Sequence, residues 1–128
     1  MSIPSQSPVH YGYASASDMT WSRSEKAIAR QAFDAALKRE LHELMQEAKE
    51  IAGGIKQPSD LWDLQEYLTQ RRKEIDRKYN YRYSHLTQVF GKLQYETRVS
   101  EEDLRGFGED KLTTIRSLAK FLGEDAAG

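Results

Sequence analysis

The sequence predicts an all-α fold, a long antiparallel helical hairpin with a small helical head at its C-terminal end. Apolar residues recur every three or four positions over two long stretches, which is the spacing of a helix face. Glycines and prolines fall mainly between these stretches, and β-branched residues never alternate as they do in strands. We therefore expect a flexible tail at 1–20, a stalk formed by the hairpin at 21–96, and a head with a short tail at 97–128.

The first helix is predicted to begin after Ser22 and to end at Gly53. Ser22 and Glu25 have the S-x-x-E spacing of a capping box, in which each side chain accepts a hydrogen bond from the other residue's backbone N–H. Gly53 and Gly54 supply the C-cap. Between these caps one apolar stripe repeats at intervals close to a heptad seam. Its members are Phe33, Leu37, Leu41, Leu44, Ala48 and Ile51.

The second helix is predicted to start near Pro58, with Ser59 or Asp60 as its N-cap. Its apolar stripe continues past Gly91, so we expect the helix to reach about residue 95, with Gly91 as a kink or an earlier end. The stripe consists of Leu61, Leu64, Leu68, Ile75, Tyr79, Leu86, Phe90 and Leu93.

The head is predicted to contain two shorter helices. Ser100 has the position of an N-cap for the first, which Gly106 and Gly108 would end. The second should run from about Glu109 to Leu122, because its apolar residues again repeat at helical spacing.

The predicted lengths of the two long helices imply a dimer. Helices of about 32 and 35 residues would be roughly 48 and 52 Å long. A compact globule of this chain length would be only about 36 Å across. An extended two-helix hairpin leaves its apolar seam open, so we expect a second copy to close it into a four-helix stalk.

Composition excludes several classes of protein. The chain has 128 residues, no cysteine and a net charge of −1, so thiolate chemistry and a strongly basic DNA-binding domain are ruled out. No apolar run is long enough to span a bilayer, and the N-terminus lacks the features of a signal peptide, so we expect a cytoplasmic protein. The three histidines, His10, His42 and His85, lack metal-ligand spacing, and no phosphate loop or nucleophile motif occurs. We therefore predict no enzyme activity and no cofactor.

One segment of the second helix, residues 70–83, carries six basic and two acidic residues among aromatic ones. It has three interpretations: a solvated face balanced by the acidic stretch 96–110, a protein-binding surface, or a nucleic-acid surface. An arginine inside the apolar stripe, as Arg71 or Arg72 must be, needs an acceptor, which a second chain could supply. Trp62 is either a core or dimer-seam residue or a partner-binding hot spot.

Three runs in the second helix resemble the fluorescence recovery protein family. They are D-L-W-D-L-Q-E-Y-L at 60–68, R-K-E-I-D-R-K-Y at 72–79 and Y-R-Y-S at 81–84, followed by the pair Val89-Phe90. The resemblance extends over about residues 21–120. It implies an all-helical dimer that is not an enzyme. It also implies that the chain binds the C-terminal domain of photoactivated orange carotenoid protein, helps to detach that protein from the phycobilisome and speeds its return to the resting orange form.

The same resemblance indicates which residues serve the dimer seam or the partner surface. They are Trp62, Glu66, Arg72, Asp76, Arg82, Phe90 and Lys111. Two positions depart from the family pattern, since Gln65 stands where histidine is usual and Gln88 where an aromatic residue is usual. An alternative is therefore a helical homodimer that acts on a different bacterial partner, in an organism without phycobilisomes.

Overall fold

The computed structural model describes residues 19–127, and this part of the chain folds into four α-helices without a strand. They are α1 (Arg23–Gly53), α2 (Pro58–Lys78), α3 (Leu86–Tyr95) and α4 (Glu109–Ala127). The all-α prediction is confirmed. The predicted tail at 1–20, with His10, lies outside the described residues except for Met19 and Thr20, which have no regular secondary structure. None of the described helices is both long and apolar enough to cross a bilayer.

Both predicted ends of α1 are confirmed. Ser22 Oγ accepts a hydrogen bond from the Glu25 backbone N–H at 3.1 Å, and Glu25 Oε1 accepts one from the Ser22 N–H at 2.9 Å. The helix ends at Gly53, and the N–H of the C-cap Gly54 bonds to carbonyls of the last turn. These local bonds satisfy backbone groups that would otherwise lack a partner at each helix end.

The predicted N-cap of α2 is wrong, because the cap is Gln57 and not Ser59 or Asp60. Pro58 occupies the first helical turn, where its missing N–H removes no hydrogen bond. Asp60 instead accepts hydrogen bonds from the backbone N–H groups of Lys56, at 2.9 Å, and Gln57, at 3.2 Å. Its carboxylate thus neutralises the positive end of the helix from inside the first turn.

The predicted continuation of α2 to about residue 95 is also wrong, because the helix ends at Lys78. Residues 79–82 have no regular structure and carry alternating tyrosines across α1. The rings of Tyr79 and Tyr81 meet Phe33 edge-on at centroid distances of 5.4 and 4.9 Å, and Tyr83 lies 5.9 Å from Trp21. The segment after Lys78 thus packs its aromatic rings on α1 and does not continue α2.

Gly91 is neither a kink nor a helix end, since it lies within α3 where α4 packs closely against it. A Cβ placed on Gly91 would lie 2.7 Å from Leu118 Cδ2. The absence of a side chain is therefore what allows the close approach of the two helices.

The short helix predicted after Ser100 is a series of turns. Its cap does form, because Ser100 and Asp103 exchange side-chain-to-backbone hydrogen bonds of 2.9 and 3.1 Å. Gly106 then adopts a φ of 104°, a left-handed conformation that favours glycine, and so ends the turns. The final helix begins at Glu109 as predicted and continues past Leu122 to Ala127.

Buried apolar side chains are concentrated at one end of the molecule. We call this the globular end: residues 21–36, which include the first part of α1, together with residues 79–127, which include α3 and α4. Its core contains Trp21, Ala29, Ala32, Phe33, Ala36, Leu86, Val89, Phe90, Leu93, Val99, Leu104, Phe107, Leu112 and Ile115. The remainder, which we call the hairpin arm, comprises residues 37–53 of α1 and all of α2. Only Glu40 and Ile75 are buried in it.

Candidate functional site

The hairpin arm exposes an incomplete apolar core. Leu41, Met45, Leu61 and Leu68 have exposed fractions of 41%, 56%, 48% and 37%. Leu37, Leu41 and Met45 line a shallow groove along α1. Two antiparallel helices cannot enclose these side chains by themselves, so the arm leaves a surface suited to a further helix.

Four of the predicted site residues lie on one face of α2. Trp62, Glu66, Arg72 and Asp76 are separated by four, six and four residues, which places them within about a third of the helix circumference. We call these four residues the outer face of α2; all of them are exposed, Trp62 by 62%. Trp62 is therefore not a core residue of the single chain.

The polar residues of the outer face are only loosely held. Glu66 accepts a hydrogen bond from Gln70 at 2.9 Å, and Arg72 Nε lies 3.9 Å from Asp76 Oδ2 with 86% of the arginine side chain exposed. Exposed pairs of this kind contribute little to stability. These side chains are therefore free to exchange their partners for groups on another protein. Arg82, on the segment that follows α2, is exposed as well.

Phe90 and Lys111 are buried in the globular end. Phe90 has no exposed surface, and its ring lies 5.7 Å from that of Phe107. Lys111 Nζ donates hydrogen bonds to the Thr20 carbonyl and to Glu25 Oε1 and lies 5.1 Å from the centre of the Trp21 ring. Their side chains can affect a partner only through the shape of the globular end.

Glu25 ties the start of α1 to the start of α4. Burial by itself would raise the pKa of its carboxyl, but hydrogen bonds from the backbone N–H groups of Ser22 and Gly108 and from Lys111 outweigh this and lower the pKa below its usual value. The buried Glu25 carboxylate thus forms an ion pair with the buried Lys111, with 3.2 Å between Oε1 and Nζ.

A second buried carboxylate, Glu40, was not predicted as a site. Its side chain is 1% exposed, and it accepts hydrogen bonds from Lys78 at 2.9 Å, Tyr79 at 2.8 Å and Arg71 at 3.2 Å. Arg98 Nε lies 3.2 Å from the same carboxylate. We call these five residues the Glu40 cluster. It joins the end of α2 and the loop after α3 to α1.

The Glu40 cluster neutralises part of the positive charge of the basic segment 70–83. The acceptor for Arg71 comes from its own chain, from Glu40 and from Glu74 at 2.8 Å, and not from a second copy. Burial would raise the pKa of Glu40, but its bonds from Lys78 and Tyr79 lower it. Among the acidic residues of 96–110, Glu96 reaches Lys78 at 2.8 Å. The segment therefore has an inner half neutralised by carboxylates and an outer half exposed to solvent.

A signal for Glu40 is present in the sequence. It follows Phe33 by seven residues and Ala36 by four, which continues the buried face of α1. A carboxylate on a buried face requires cationic or hydrogen-bonding partners. Within residues 19–127, the structure holds no cluster of three or more histidine or acidic side chains placed to bind a metal ion.

Comparison with known proteins gives consistent matches. Residues 21–119 match the family model described as photoprotection regulator fluorescence recovery protein. The chain is 38% identical over 101 residues to the fluorescence recovery protein of a Synechocystis species, covering 79% of this chain and 93% of that protein. The solved structure of the Fremyella diplosiphon fluorescence recovery protein matches with a TM-score of 0.75 at 39% identity, covering 79% of this chain and 99% of that one. The Synechocystis structure matches with the same TM-score at 38% identity and the same coverage.

Proposed function

Because the chain belongs to the fluorescence recovery protein family of photoprotection regulators, we propose that it is a non-catalytic binding protein that acts as a homodimer. Its target in this proposal is the C-terminal domain of photoactivated orange carotenoid protein, whose return to the resting orange form it accelerates. The setting in this proposal is the bacterial cytoplasm, where that carotenoid protein would detach from the phycobilisome.

The observation that carries the proposal is the uncovered hairpin arm. Four of its apolar side chains are exposed although they repeat at the spacing of a helix-packing face: Leu41, Met45, Leu61 and Leu68. A second copy laid antiparallel against the arm would cover them and produce the four-helix stalk that the sequence predicts. Self-association would also add buried apolar surface to the small core of the single chain.

The outer face of α2 is the proposed docking surface for the carotenoid protein, with Arg82 beside it. Trp62 and Arg72 are of the residue types that contribute most to protein interfaces, and they are flanked by the carboxylates of Glu66 and Asp76. A protein that binds one conformer of its target more tightly than the other shifts the target toward that conformer. If the chain binds the transition state for domain closure more tightly than the photoactivated form itself, it lowers the barrier and speeds recovery without any chemical step.

The test is the dark recovery of orange absorbance after illumination of the carotenoid protein, with and without this chain. We expect faster recovery with stoichiometric protein, and we expect the Trp62→Ala variant to lose most of the acceleration. Phe121→Ala is the matched control, because Phe121 is similarly exposed at 60% but lies on α4. Light scattering on both variants separates loss of docking from loss of the dimer. Unchanged recovery with the native chain would contradict the proposed target.

A second candidate is a different bacterial partner that binds the same surface. Two positions favour it: Gln65 lies exposed on α2, and Gln88 lies exposed on α3, where the family pattern has histidine and an aromatic residue. Such replacements change surface chemistry and leave the core intact. A native dimer that fails to accelerate orange recovery would point to this candidate.

A further inference from the structure

A cleft of about 680 Å³ lies where the hairpin arm meets the globular end. The last turns of α2 form one wall, and the first turns of α3 form the other. It shares no residue with the apolar groove on α1, so closing that groove with a second copy does not require the cleft.

The acidic residues in this cleft already have partners. Glu40 is bound within its cluster, and Glu96 contacts both Lys78 at 2.8 Å and Arg98 at 3.0 Å. Glu74 pairs with Arg71, and Glu47 accepts a hydrogen bond from the Tyr67 hydroxyl. Three of the four glutamates on the cleft walls are therefore paired with cations of the same chain, and the fourth, Glu47, is hydrogen-bonded to a hydroxyl.

The basic residues at the mouth of the cleft are not compensated in this way. Among residues 19–127, neither Arg77 nor Lys92 makes an ion pair, and both are exposed. His85, the N-cap of α3, is followed by Gln88 and Lys92 at intervals of three and four residues, and all three line the cleft from this side. Arg77 lines it from α2 and Asn80 from the segment after α2. Hydrogen-bond donors from both walls thus point toward the cleft, and the residues that line it carry more positive than negative charge.

We propose that this cleft binds an acidic peptide segment of a partner protein. Carboxylates of the segment would pair with Arg77 and Lys92, while the side-chain amides of Asn80 and Gln88 would hydrogen-bond to its polar groups. The volume is that of a pocket for several side chains and exceeds what a single small anion would fill.

Two other occupants fit less well. Within the described part of the chain, only Arg77 and Lys92 among the basic lining residues lack a carboxylate partner, which is too few cations for the continuous phosphate backbone of a nucleic acid but enough to pair with two carboxylates of a peptide. Residues 1–18 of this chain contain a single acidic residue, Asp18, so they lack the negative charge needed to pair with both Arg77 and Lys92. The proposal goes beyond the proposed function, because it names a second contact that does not depend on which protein the partner is.

The experiment uses the full chain and an octaglutamate peptide blocked at both ends, titrated at low ionic strength and followed by NMR. We expect shifts at the ring of His85 and at the backbone amides of Gln88 and Lys92, with affinity that falls as salt is added. The double variant Arg77→Glu/Lys92→Glu should bind at least about tenfold more weakly. Lys73→Glu is the matched control, since Lys73 is exposed on α2 outside the cleft and should leave the affinity within about twofold.

Several results would overturn the proposal. Equal loss of affinity in the Lys73→Glu control, or shifts confined to the outer face of α2, would mean that the peptide binds the basic helix nonspecifically. Tighter binding of an oligothymidylate of equal charge would favour a nucleic-acid ligand. Far-ultraviolet circular dichroism checks that the charge-reversed variants remain folded. The titration contains no carotenoid protein. A negative titration therefore does not contradict the proposed function, and a negative recovery assay does not contradict peptide binding in the cleft.

Discussion

Glu40 is a single carboxylate that compensates three cationic side chains at the junction of the hairpin arm and the globular end. Glu40→Gln keeps the shape of the side chain and one acceptor oxygen but removes the charge, so Arg71, Lys78 and Arg98 lose the negative charge that they share. We expect the free energy of unfolding at pH 7 to fall by about 3 kcal/mol, the lower end for breaking a buried ion pair, because each cation keeps a second carboxylate nearby. Urea unfolding followed by circular dichroism measures the change.

The matched control is Glu50→Gln, which removes the same charge from an exposed position of α1 and should change stability by less than about 0.5 kcal/mol. An equal effect of both substitutions would mean that net charge, and not the Glu40 cluster, determines the result.

The pH dependence of the Glu40→Gln effect follows from the lowered pKa of Glu40. Its folded-state pKa lies below the usual value of 4.5, so its stabilisation is fully present above about pH 4.5 and is lost as the pH falls through the folded-state pKa. We expect the stability difference between the native chain and Glu40→Gln to be constant from pH 7 to 5 and to shrink toward pH 3. Urea unfolding at each pH measures it, and a difference that grew on acidification would contradict the assigned role.

At the level of helices, the contact between α3 and α4 depends on Gly91. A methyl group there would lie 2.7 and 2.9 Å from Leu118 Cδ2 and Cβ, so one helix must shift. We expect Gly91→Ala to destabilise the protein by about 1–3 kcal/mol, as overpacked cores do. Thermal and urea unfolding measure the loss.

Gly123→Ala provides the internal comparison for that substitution. Gly123 also lies in a helix, but its added Cβ would be 3.8 Å from the Tyr95 ring, an ordinary contact. Alanine is favoured over glycine within helices by about 1 kcal/mol, so this variant should be as stable as the native chain or more so. If both variants behaved alike, helix propensity and not the α3–α4 contact would explain the result.

Local chemistry explains which helix boundaries the sequence could predict. The ends of α1 depend on Ser22, Glu25, Gly53 and Gly54, which act within a few residues along the chain, and both ends were predicted correctly. The end of α2 depends on Glu40, which lies 38 residues before Lys78 in the sequence. No pattern read along α2 alone contains that information.

The tyrosines after α2 did carry a signal that the helical pattern obscured. Tyr79, Tyr81 and Tyr83 alternate, which is the period of an extended segment and not of a helix. Tyr79 also fits the apolar stripe of α2, which is why the helical pattern predicts a helix that continues to Leu86 and beyond. Their contacts with Phe33 and Trp21 show that tertiary packing decided the conformation here.

On the scale of the whole molecule, the described residues form two regions that differ in burial. The globular end encloses a core and buries Phe90 and Lys111, whereas the hairpin arm leaves Trp62 and the rest of the outer face of α2 accessible. The sequence resemblance to the family indicated all of these residues, but it could not distinguish the buried residues from the exposed ones that can contact a partner. That distinction depends on packing between segments distant in the sequence, which the structure supplies.

The exposed apolar face of the hairpin arm leads to the prediction that tests the dimer. Leu41 is 41% exposed in the single chain, so Leu41→Asp should leave the monomer folded while placing an unpaired charge in the proposed seam. We expect light scattering to give a mass close to 14.8 kDa for this variant and about twice that for the native chain. Phe121→Asp, which alters a more exposed apolar residue on α4, should keep the native mass. A Leu41→Asp variant that retained the doubled mass would place the seam elsewhere, and the apolar face of the arm would then need another protein to cover it.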